Sequence, residues 1–421
     1  MLAARSCAVV LGALAVAACG GGGGESASGS PSITDSVGIQ IVTNGPKPSG
    51  EADWTLAPTP SFDVGGGDKG PEYELTQVVG AARLSDGRVA VANGSSAQIR
   101  FYLADGTFET AAGRAGEGPG EFRMLGGLWL GRGDSLLAPD VQLQRLTAFD
   151  GSGAFVRSFA LGGRSGVQIG QTGVRIALPQ AWLADGSVVG VEQEFRLNSQ
   201  AEGSYRDTVA VLRFGAEGEV LDTVGRFPGI EMRQATLTFG GRTIPTPRPV
   251  PLGRNTVVGG RGDRVFVATN EGWEIREIGP GGAVERLIRV AEPPVELSEA
   301  DIVANRAEQQ ELLEGFPQFR SVPAEIKDQM LKSLQEAEYP KTLTWVAGIL
   351  AGPDQTLWVR EVVRPGDRPG RLAVFDAAGV LVARIEIPAR FQVFQVSANE
   401  LLGVWRDPDG VEHVRAYPLS R

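Results

Sequence analysis

Short runs of alternating apolar and polar residues, separated by glycine-containing turns, fill the chain from about residue 54 onward. In residues 84–93, for example, an Asp-Gly pair precedes the run Arg-Val-Ala-Val-Ala-Asn. Alternation with a period of two is typical of β-strands, and Asp-Gly between two such runs is the strongest short-range signal of a hairpin. The pattern therefore predicts an all-β chain built from antiparallel hairpins.

The hairpins repeat in pairs along the chain. The first part of each repeat is a turn built on Asp-Gly or an equivalent pair and then a strand, with copies beginning near residues 84, 131, 183, 260, 352 and 397. The second part is a strand, a glycine-centred turn and another strand, with copies beginning near residues 99, 146, 211, 273 and 372. Two hairpins make one four-stranded propeller blade. The copies predict a six-bladed β-propeller of four-stranded antiparallel blades.

The last repeat supplies only three strands, near residues 391–396, 400–406 and 411–418. A glycine-rich turn at 113–122 follows the fourth strand of the first blade, and a similar turn at 65–73 follows residues 54–64. By this register an outer strand lies within 54–64. We expect it to complete the last blade and close the ring, which leaves no open sheet edge.

The copies lie further apart between the third and fourth repeats, and again between the fourth and fifth. The second of these longer segments predicts a short helical insertion at about residues 296–338, between blades 4 and 5. Ser298 and Asp301 suit a capping box, and Pro323 suits the first turn of a second helix. The apolar face of this second helix contains Ile326, Met330, Leu331 and Leu334. This face either covers apolar strand surface or forms a lid over the central channel, and the sequence leaves both open.

Composition removes several classes of function. The chain has 421 residues, with 40 Lys and Arg against 50 Asp and Glu and a net charge of −10. This charge opposes binding to phosphate backbones, and 7% aromatic residues leave few surfaces for base stacking, so we expect no nucleic acid partner. The hydrophobic fraction of 42% is far too high for a disordered or collagen-like chain.

The N-terminus has the features of an export signal. Arg5 precedes an apolar run at residues 7–18, which is too short for a membrane-spanning helix of about 20 residues. The run leads into Val-Ala-Ala-Cys at 16–19, which resembles the bacterial lipobox. The lipobox implies cleavage before Cys19 and lipidation of this cysteine. The alternative is a secretory signal cut after Ala-Val-Ala at 15–17.

The lipobox defines the expected domain organisation: a lipoprotein signal peptide at 1–18, a flexible Gly/Ser tether at 19–35 and the propeller at 36–421. Loss of Cys7 with the signal peptide leaves Cys19 as the only cysteine, so the mature chain has no disulfide. We expect a monomer in the bacterial cell envelope, anchored to a membrane through its lipidated N-terminus, at the outer membrane or the periplasmic face.

The sequence resembles the six-bladed β-propeller lipoproteins of bacteria, which are related to NHL-repeat and TolB-like propellers. The resemblance is found in Gly-x-Gly-Pro-Gly-Glu-Phe at 116–122, Asp-Gly-Arg-x-x-Val at 86–91, Leu-Trp-Val at 357–359 and Ser-Val-Gly-Ile-Gln-Ile-Val at 36–42. It covers roughly residues 36–421. It implies the propeller architecture but no particular activity, because a fold alone does not assign function.

Propellers of related shape include lyases that need several histidines and lactonases that hold a divalent cation with carboxylates and an asparagine. The single histidine, His413, lies in a predicted strand. The sequence therefore lacks the several histidines of the lyases, and it offers no histidine base for a serine triad. The many carboxylates, with Asn93, Asn255 and Asn270, could supply a cation site, but no spacing selects a set.

Two glycine motifs have structural interpretations. The segment at 113–120 lacks the Gly-Lys-Ser/Thr of phosphate-binding loops and is predicted to be a turn between blades. The Arg-Gly-Asp at 261–263 is predicted to be the turn of the fourth repeat rather than an adhesion signal.

Two functional hypotheses follow. The first is a non-catalytic envelope lipoprotein whose propeller binds a protein, peptide or glycan, with no cofactor, metal or catalytic residue. The second is a divalent-metal-dependent, lactonase-like hydrolase with a carboxylate site in the central channel. The two differ in whether carboxylates converge at that channel. In the first hypothesis, the acidic helical insertion is where we expect the partner to bind.

Overall fold

The computed structural model describes residues 30–50, 54–67, 69–163, 168–169, 173–196, 203–239, 241–315, 319 and 321–421. About half of these residues lie in β-strands, and the described part of the chain also contains two α-helices. The predicted signal peptide, Cys19 and most of the tether lie outside the described residues. Within the described part, neither helix has the length and hydropathy needed to cross a membrane.

The described chain begins with four short strands, which together we call the N-terminal arm. They are β1 (Ser32–Ser36), β2 (Ile39–Asn44), β3 (Thr55–Leu56) and β4 (Phe62–Gly65). Strand β1 occupies residues 32–35, which the sequence analysis placed in the tether. The β-branched Ile33 of β1 pairs with Val42 of β2, and such residues favour extended backbone.

The described residues after the arm form three sheets before residue 250. Sheet 1 contains β5 (Val78–Arg83), β6 (Val89–Asn93), β7 (Gln98–Tyr102) and β8 (Phe108–Ala112). Sheet 2 contains β9 (Trp129–Leu130), β10 (Leu136–Asp140), β11 (Arg145–Phe149) and β12 (Phe155–Ala160). Sheet 3 contains β13 (Gln168–Ile169), β14 (Gly173–Trp182), β15 (Val188–Arg196), β16 (Ser204–Phe214) and β17 (Val220–Arg233). A separate hairpin of β18 (Thr236–Phe239) and β19 (Arg242–Pro245) follows β17. The next strand, β20 (Arg248–Pro249), belongs to sheet 3 again.

Three further sheets complete the described chain. Sheet 4 contains β21 (Val257–Arg261), β22 (Arg264–Ala268), β23 (Glu274–Ile278) and β24 (Val284–Val290). The helices α1 (Glu299–Gly315) and α2 (Ala324–Gln335) follow. Sheet 5 contains β25 (Val346–Ala351), β26 (Leu357–Glu361), β27 (Gly370–Phe375) and β28 (Leu381–Ile387), and sheet 6 contains β29 (Phe391–Val396), β30 (Glu400–Arg406) and β31 (Glu412–Ser420).

The N-terminal arm pairs with strands that are distant in sequence. Strand β4 pairs with β31, so that Val64 lies opposite Val414, and β3 pairs with the end of the same strand. The prediction that residues 54–64 add the missing outer strand to the last repeat is confirmed. Strand β2 pairs in parallel with β24 of sheet 4, and between the two contacts the Ser49 N–H donates to the Leu381 carbonyl of sheet 5 at 2.9 Å. The arm therefore lies along the outer edges of sheets 4, 5 and 6.

Apolar side chains between neighbouring sheets form the core. Five clusters of buried residues join sheet 1 to sheet 2, sheet 2 to sheet 3, and so on through sheet 6. The sixth cluster joins sheet 6 back to sheet 1, with Val64 and Val414 on one side and Val78 and Val91 on the other. The fold is thus mostly β, with repeated four-stranded antiparallel sheets packed face to face, as in a β-propeller.

The glycine in the second part of the repeat has a packing role. At Gly218, in the turn between β16 and β17, φ is +84°, and a Cβ would lie 2.1 Å from the Ala160 carbonyl oxygen of sheet 2. Gly153, in the equivalent turn of sheet 2, has the same φ, and its Cβ would lie 2.8 Å from a ring carbon of Phe101 in sheet 1. Only glycine combines this backbone conformation with so close a contact, which explains the glycine in these two sheets.

The two helices occupy the connection between sheets 4 and 5, where the insertion is predicted. The capping box is confirmed: the Ser298 N–H and hydroxyl donate to Asp301 Oδ2 at 2.9 and 2.7 Å. Pro323 lies one residue before the first turn of α2 rather than within it, because its ψ of 145° is not helical. The predicted apolar residues of α2 are half-buried, and the helix packs against α1 and β18.

Candidate functional site at the insertion end

Antiparallel topology places the long connections at one end of the sheets. In a four-stranded meander, the connections between strands 1 and 2 and between strands 3 and 4 lie at one end. The connection between strands 2 and 3 and the connection to the next sheet lie at the other, which we call the insertion end. The β18–β19 hairpin follows the end of β17, the fourth long strand of sheet 3, and both helices lie in the connection between sheets 4 and 5, so the hairpin and the helices are at the insertion end.

The two added elements contact each other. The Gln329 side chain of α2 accepts a hydrogen bond from the Thr238 N–H of β18 at 2.9 Å and donates one to the Thr238 carbonyl at 2.7 Å. Arg233, at the end of β17, forms an ion pair with Glu338, which follows α2. The hairpin and the helices therefore form one surface unit, although they are separated in sequence.

Helix α1 is held on sheet 5 by a buried carboxylate. Asp301 is 1% exposed and pairs with Arg364, in the connection between β26 and β27, while Glu308 Oε1 accepts the Gly366 N–H at 2.6 Å. The hydrogen bonds from the Ser298 hydroxyl and N–H, together with the Arg364 charge, hold the pKa of Asp301 below its ordinary value. The carboxylate is therefore ionised at neutral pH and fixes the start of the insertion.

A second charged cluster joins the ends of sheets 3 and 4. The Glu231 carboxylate accepts hydrogen bonds from Arg254 Nε at 3.1 Å and from the Ser204 hydroxyl at 3.0 Å. Burial acts to raise the pKa of Glu231, but the hydrogen bonds from Arg254 and Ser204 outweigh it and hold this pKa below its ordinary value. Arg206 pairs with Glu271 at 2.6 Å. These groups satisfy one another, so the cluster stabilises the junction of the two sheets.

The asparagines considered for a cation site have backbone partners. Asn93 Oδ1 accepts the Thr76 N–H at 2.9 Å, and its Nδ2 donates to the Glu74 carbonyl and the Ser96 hydroxyl. Asn270 Oδ1 accepts the Val346 N–H at 2.9 Å, and its Nδ2 donates to two carbonyls. Both amides hold the connection that leads into a first strand. Asn255 is exposed, and its carbonyl accepts one of the Asn270 bonds.

His413 lies in β31, as predicted. Its Nδ1 lies 3.0 Å from Asp63 Oδ1 of β4, and the other Asp63 oxygen accepts Arg415 Nε at 2.8 Å. The Arg415 guanidinium stacks over the Trp405 ring at 3.7 Å. This cluster joins the N-terminal arm to the last strand, and no hydroxyl or thiol nucleophile is among these contacts.

Both glycine-rich turns are held by an arginine from the sheet that follows. Arg145 of β11 donates to the carbonyls of Glu117, Gly118 and Glu121, and Arg100 of β7 donates to carbonyls within the turn at 71–74. The segment at 113–120 is therefore a turn between sheets, as predicted. Arg-Gly-Asp at 261–263 forms the turn between β21 and β22, also as predicted.

The first strand of each sheet contributes no acidic residue to the region where these strands meet. Strand β5 packs against β9 and β29, and β25 packs against β21 and β29. In sheet 3 we count β14, the first long strand, as the first strand. The six first strands β5, β9, β14, β21, β25 and β29 contain no Asp or Glu, and neither does the two-residue β13 beside β14. Elsewhere in the described residues, no three His, Cys, Asp or Glu side chains form a group able to hold a metal ion.

Sequence reasoning missed the charged pair at the end of β26, Arg360 and Glu361. Glu361 is 4% exposed and forms ion pairs within sheet 5, with Arg371 of β27 and Arg384 of β28. Burial raises the pKa of Glu361 above its ordinary value, against the opposing effect of both arginines. Among the described residues, Arg360 has no carboxylate partner of this kind. A charged pair after Leu-Trp-Val, where sheet 1 has Ala92 and Asn93, was the available signal.

Comparisons with known proteins give structures of limited similarity. No family model matches the chain, and no curated protein matches it. An exported protein of Bacteroides fragilis is 11% identical, with 90% of this chain and 100% of that one covered and a TM-score of 0.45. A DUF4221 family member of Bacteroides vulgatus is 9% identical, with 87% and 99% covered and a TM-score of 0.47. A gluconolactonase of Xanthomonas campestris is 12% identical, with 82% and 87% covered and a TM-score of 0.39. At this level of similarity none of the three indicates what this chain does.

Proposed function

We propose that the chain is a lipid-anchored lipoprotein of the bacterial cell envelope, and that its insertion end binds a protein, peptide or glycan without catalysis. In this proposal the six large sheets are the blades of one closed propeller, which acts as a rigid monomeric support for the added elements. The observation that carries the proposal is the position of the hairpin and both helices, which lie together at one end of the sheets.

The six apolar clusters support the closed ring. Each cluster lies between two consecutive sheets, and the pairing of β4 with β31 provides the last sheet with its outer strand. A ring closed by pairing its first and last segments has a defined axis, around which the six first strands lie. This arrangement supports one central channel and two distinct ends.

The route of the N-terminal arm supports an anchor near the insertion end. Strand β2 runs parallel to β24, which leads into the helices, and β1 runs antiparallel to β2. Strand β1 therefore begins at the insertion end. For a Gly/Ser linker of the length of residues 20–31, the expected root-mean-square span is about 20 Å. In this proposal the added elements face a partner close to the membrane that holds Cys19.

The composition of the first strands supports binding rather than metal-dependent hydrolysis. A calcium-type site needs several carboxylate or carbonyl oxygens at 2.3–2.6 Å from the ion. The first strands offer no carboxylate, and Asn93 and Asn270 already bind backbone groups. The lactonase-like alternative therefore lacks its expected ligands along the proposed channel.

We expect a photoreactive residue at Val303 to crosslink the partner in cells that produce the protein. Val303 is 63% exposed on α1, at the insertion end. The matched control is Val220, which is 50% exposed at the start of β17, at the opposite end. Mass spectrometry should recover one recurrent species from position 303 and not from position 220. Equal recovery from the two positions, or none from either, would contradict the proposal.

A thermal melt tests the hydrolase alternative. A cation that binds only the folded state adds about 2.7 kcal/mol to the free energy of unfolding when its concentration is 100 times its Kd. We expect no shift in melting temperature when millimolar calcium, magnesium or manganese replaces chelator. A rise of several degrees, together with turnover of lactone or ester substrates, would replace the binding proposal with the hydrolase.

A further inference from the structure

Arg360 occupies a position of the repeat that is apolar in two other sheets. In sheet 5 the backbone of Arg360 pairs with Gly348 of the first strand. The same register in sheet 1 pairs Ala92 with Gly80. In sheet 2 the Pro139 ring lies against Gly127, at 3.3 Å from where a Cβ would be. The glycine is thus common to the three sheets, while the cationic side chain is specific to sheet 5.

The glycine allows the arginine side chain to cross the first strand. A Cβ on Gly348 would lie 3.5 Å from both Nε and Nη2 of Arg360, so the guanidinium lies directly over the Gly348 backbone. Its Nη2 donates to the Ala347 carbonyl at 3.2 Å. The side chain therefore extends from the second strand of the blade toward the proposed central channel.

The guanidinium is poorly satisfied by the described residues. Its Nε is buried and has no hydrogen-bond partner, and no carboxylate of the described chain lies within 4.0 Å of it. The neighbouring Arg371 and Arg384 both pair with Glu361. Burial alone lowers the pKa of Arg360 from its ordinary value, with no opposing acid. A guanidinium presents several N–H donors in one plane, an arrangement that suits a bidentate oxyanion.

We propose that Arg360 binds the oxyanion group of the ligand, a carboxylate or a phosphate, at the mouth of the channel. The proposal rests on the proposed binding function and adds the chemical class of the ligand. The first strands contribute no Asp or Glu, so an anion that enters beside Gly348 meets no fixed negative charge from them. The ligand would occupy the free donors of Arg360 while Ala347 keeps its bond to Nη2.

The test is a titration of the full mature chain, made soluble by Cys19→Ser, with sodium acetate and separately with inorganic phosphate. Binding is followed by the NMR signals of the arginine Nε–H groups at constant ionic strength. We expect the Arg360 signal to shift in a saturable way with at least one of the two anions. The anion that saturates identifies the ligand group as carboxylate or phosphate.

Two variants make this result specific. Arg360→Ala places in sheet 5 the residue that sheet 1 has at Ala92, so the fold should be retained, as near-UV circular dichroism can verify. We expect its affinity for the anion, measured by calorimetry, to fall at least tenfold. Arg132→Gln, at an exposed arginine of the opposite end, should leave the affinity unchanged.

Equal affinity of the wild type and Arg360→Ala, or no saturable shift with either anion, would overturn the assignment. This failure is distinct from failure of the proposed function. Crosslinking confined to Val303 with no anion effect would reject only Arg360 as the recognition group. Metal-dependent turnover would reject the proposed binding function, and the anion titration alone would then decide whether Arg360 binds an oxyanion.

Discussion

A chain that lacks residues 19–64 is expected to lose its cooperative fold, whereas a chain that lacks residues 19–35 is expected to unfold at nearly the wild-type temperature. The longer deletion removes all of β4 except Gly65 and exposes the hydrogen-bonding edge of β31. It also removes Phe62 and Val64, which are 3% and 2% exposed between sheets 6 and 1. The shorter deletion removes most of β1, whose residues are all exposed, and leaves the pairing of β2 with β24.

Point variants give the same comparison without a change in chain length. Phe62→Ala should cost about 3–5 kcal/mol of unfolding free energy, because it empties a buried site between two sheets. Ile33→Ala is the matched control, since Ile33 is 51% exposed in β1, and its cost should stay within about 0.5 kcal/mol. Denaturant unfolding followed by circular dichroism measures both. A chain without residues 19–64 that still melts like the wild type would show that the arm does not close the structure.

Replacement of Cys19 by serine is expected to move the protein from the membrane fraction to the soluble fraction in a host with a lipoprotein pathway. Serine cannot accept the thioether-linked lipid, and each buried CH₂ of an acyl chain contributes about 0.8 kcal/mol to membrane binding. The net charge of −10 offers no electrostatic attraction to anionic lipid that would substitute for it. Fractionation and immunoblotting measure the redistribution.

Cys7→Ser is the matched control for the anchor. Cys7 lies within the segment predicted to be cleaved, so this variant should remain with the membrane. Mass spectrometry of the wild type should find a lipidated Cys19 as the first residue. An unmodified N-terminus, or membrane association that survives Cys19→Ser, would contradict the lipobox interpretation and favour the plain secretory signal.

Local features of the structure follow closely from the sequence. The Asp-Gly turn at 86–87 joins β5 to β6, and the Ser298–Asp301 capping box begins α1. In both cases the signal consists of residues within a few positions of one another, so backbone preference and short hydrogen bonds decide the outcome. The place of residues 54–64 also followed from sequence, because a duplicated turn fixed their register in the repeat.

The candidate site depends on contacts that no local pattern encodes. Asp63 binds His413 across 350 positions of sequence, and Asn270 binds the start of β25 across 76. In the sequence, Asn93 and Asn270 look like candidate ligands, because an asparagine whose amide is free and one whose amide is hydrogen-bonded to the backbone are written as the same residue. Only their distances to backbone groups distinguish them.

By itself the sequence determined the β-rich repeat, the turns and the insertion, because each depends on residues that are neighbours in the chain. The tertiary structure alone decided that β1 joins the edge of sheet 4, that the hairpin and helices meet at one end, and that Arg360 lies over Gly348 with no acidic partner in the described part of the chain. These outcomes depend on which surfaces meet when the sheets pack. The burial of apolar surface and the pairing of charges between distant segments decide which surfaces meet, and the sequence of one segment alone does not show it.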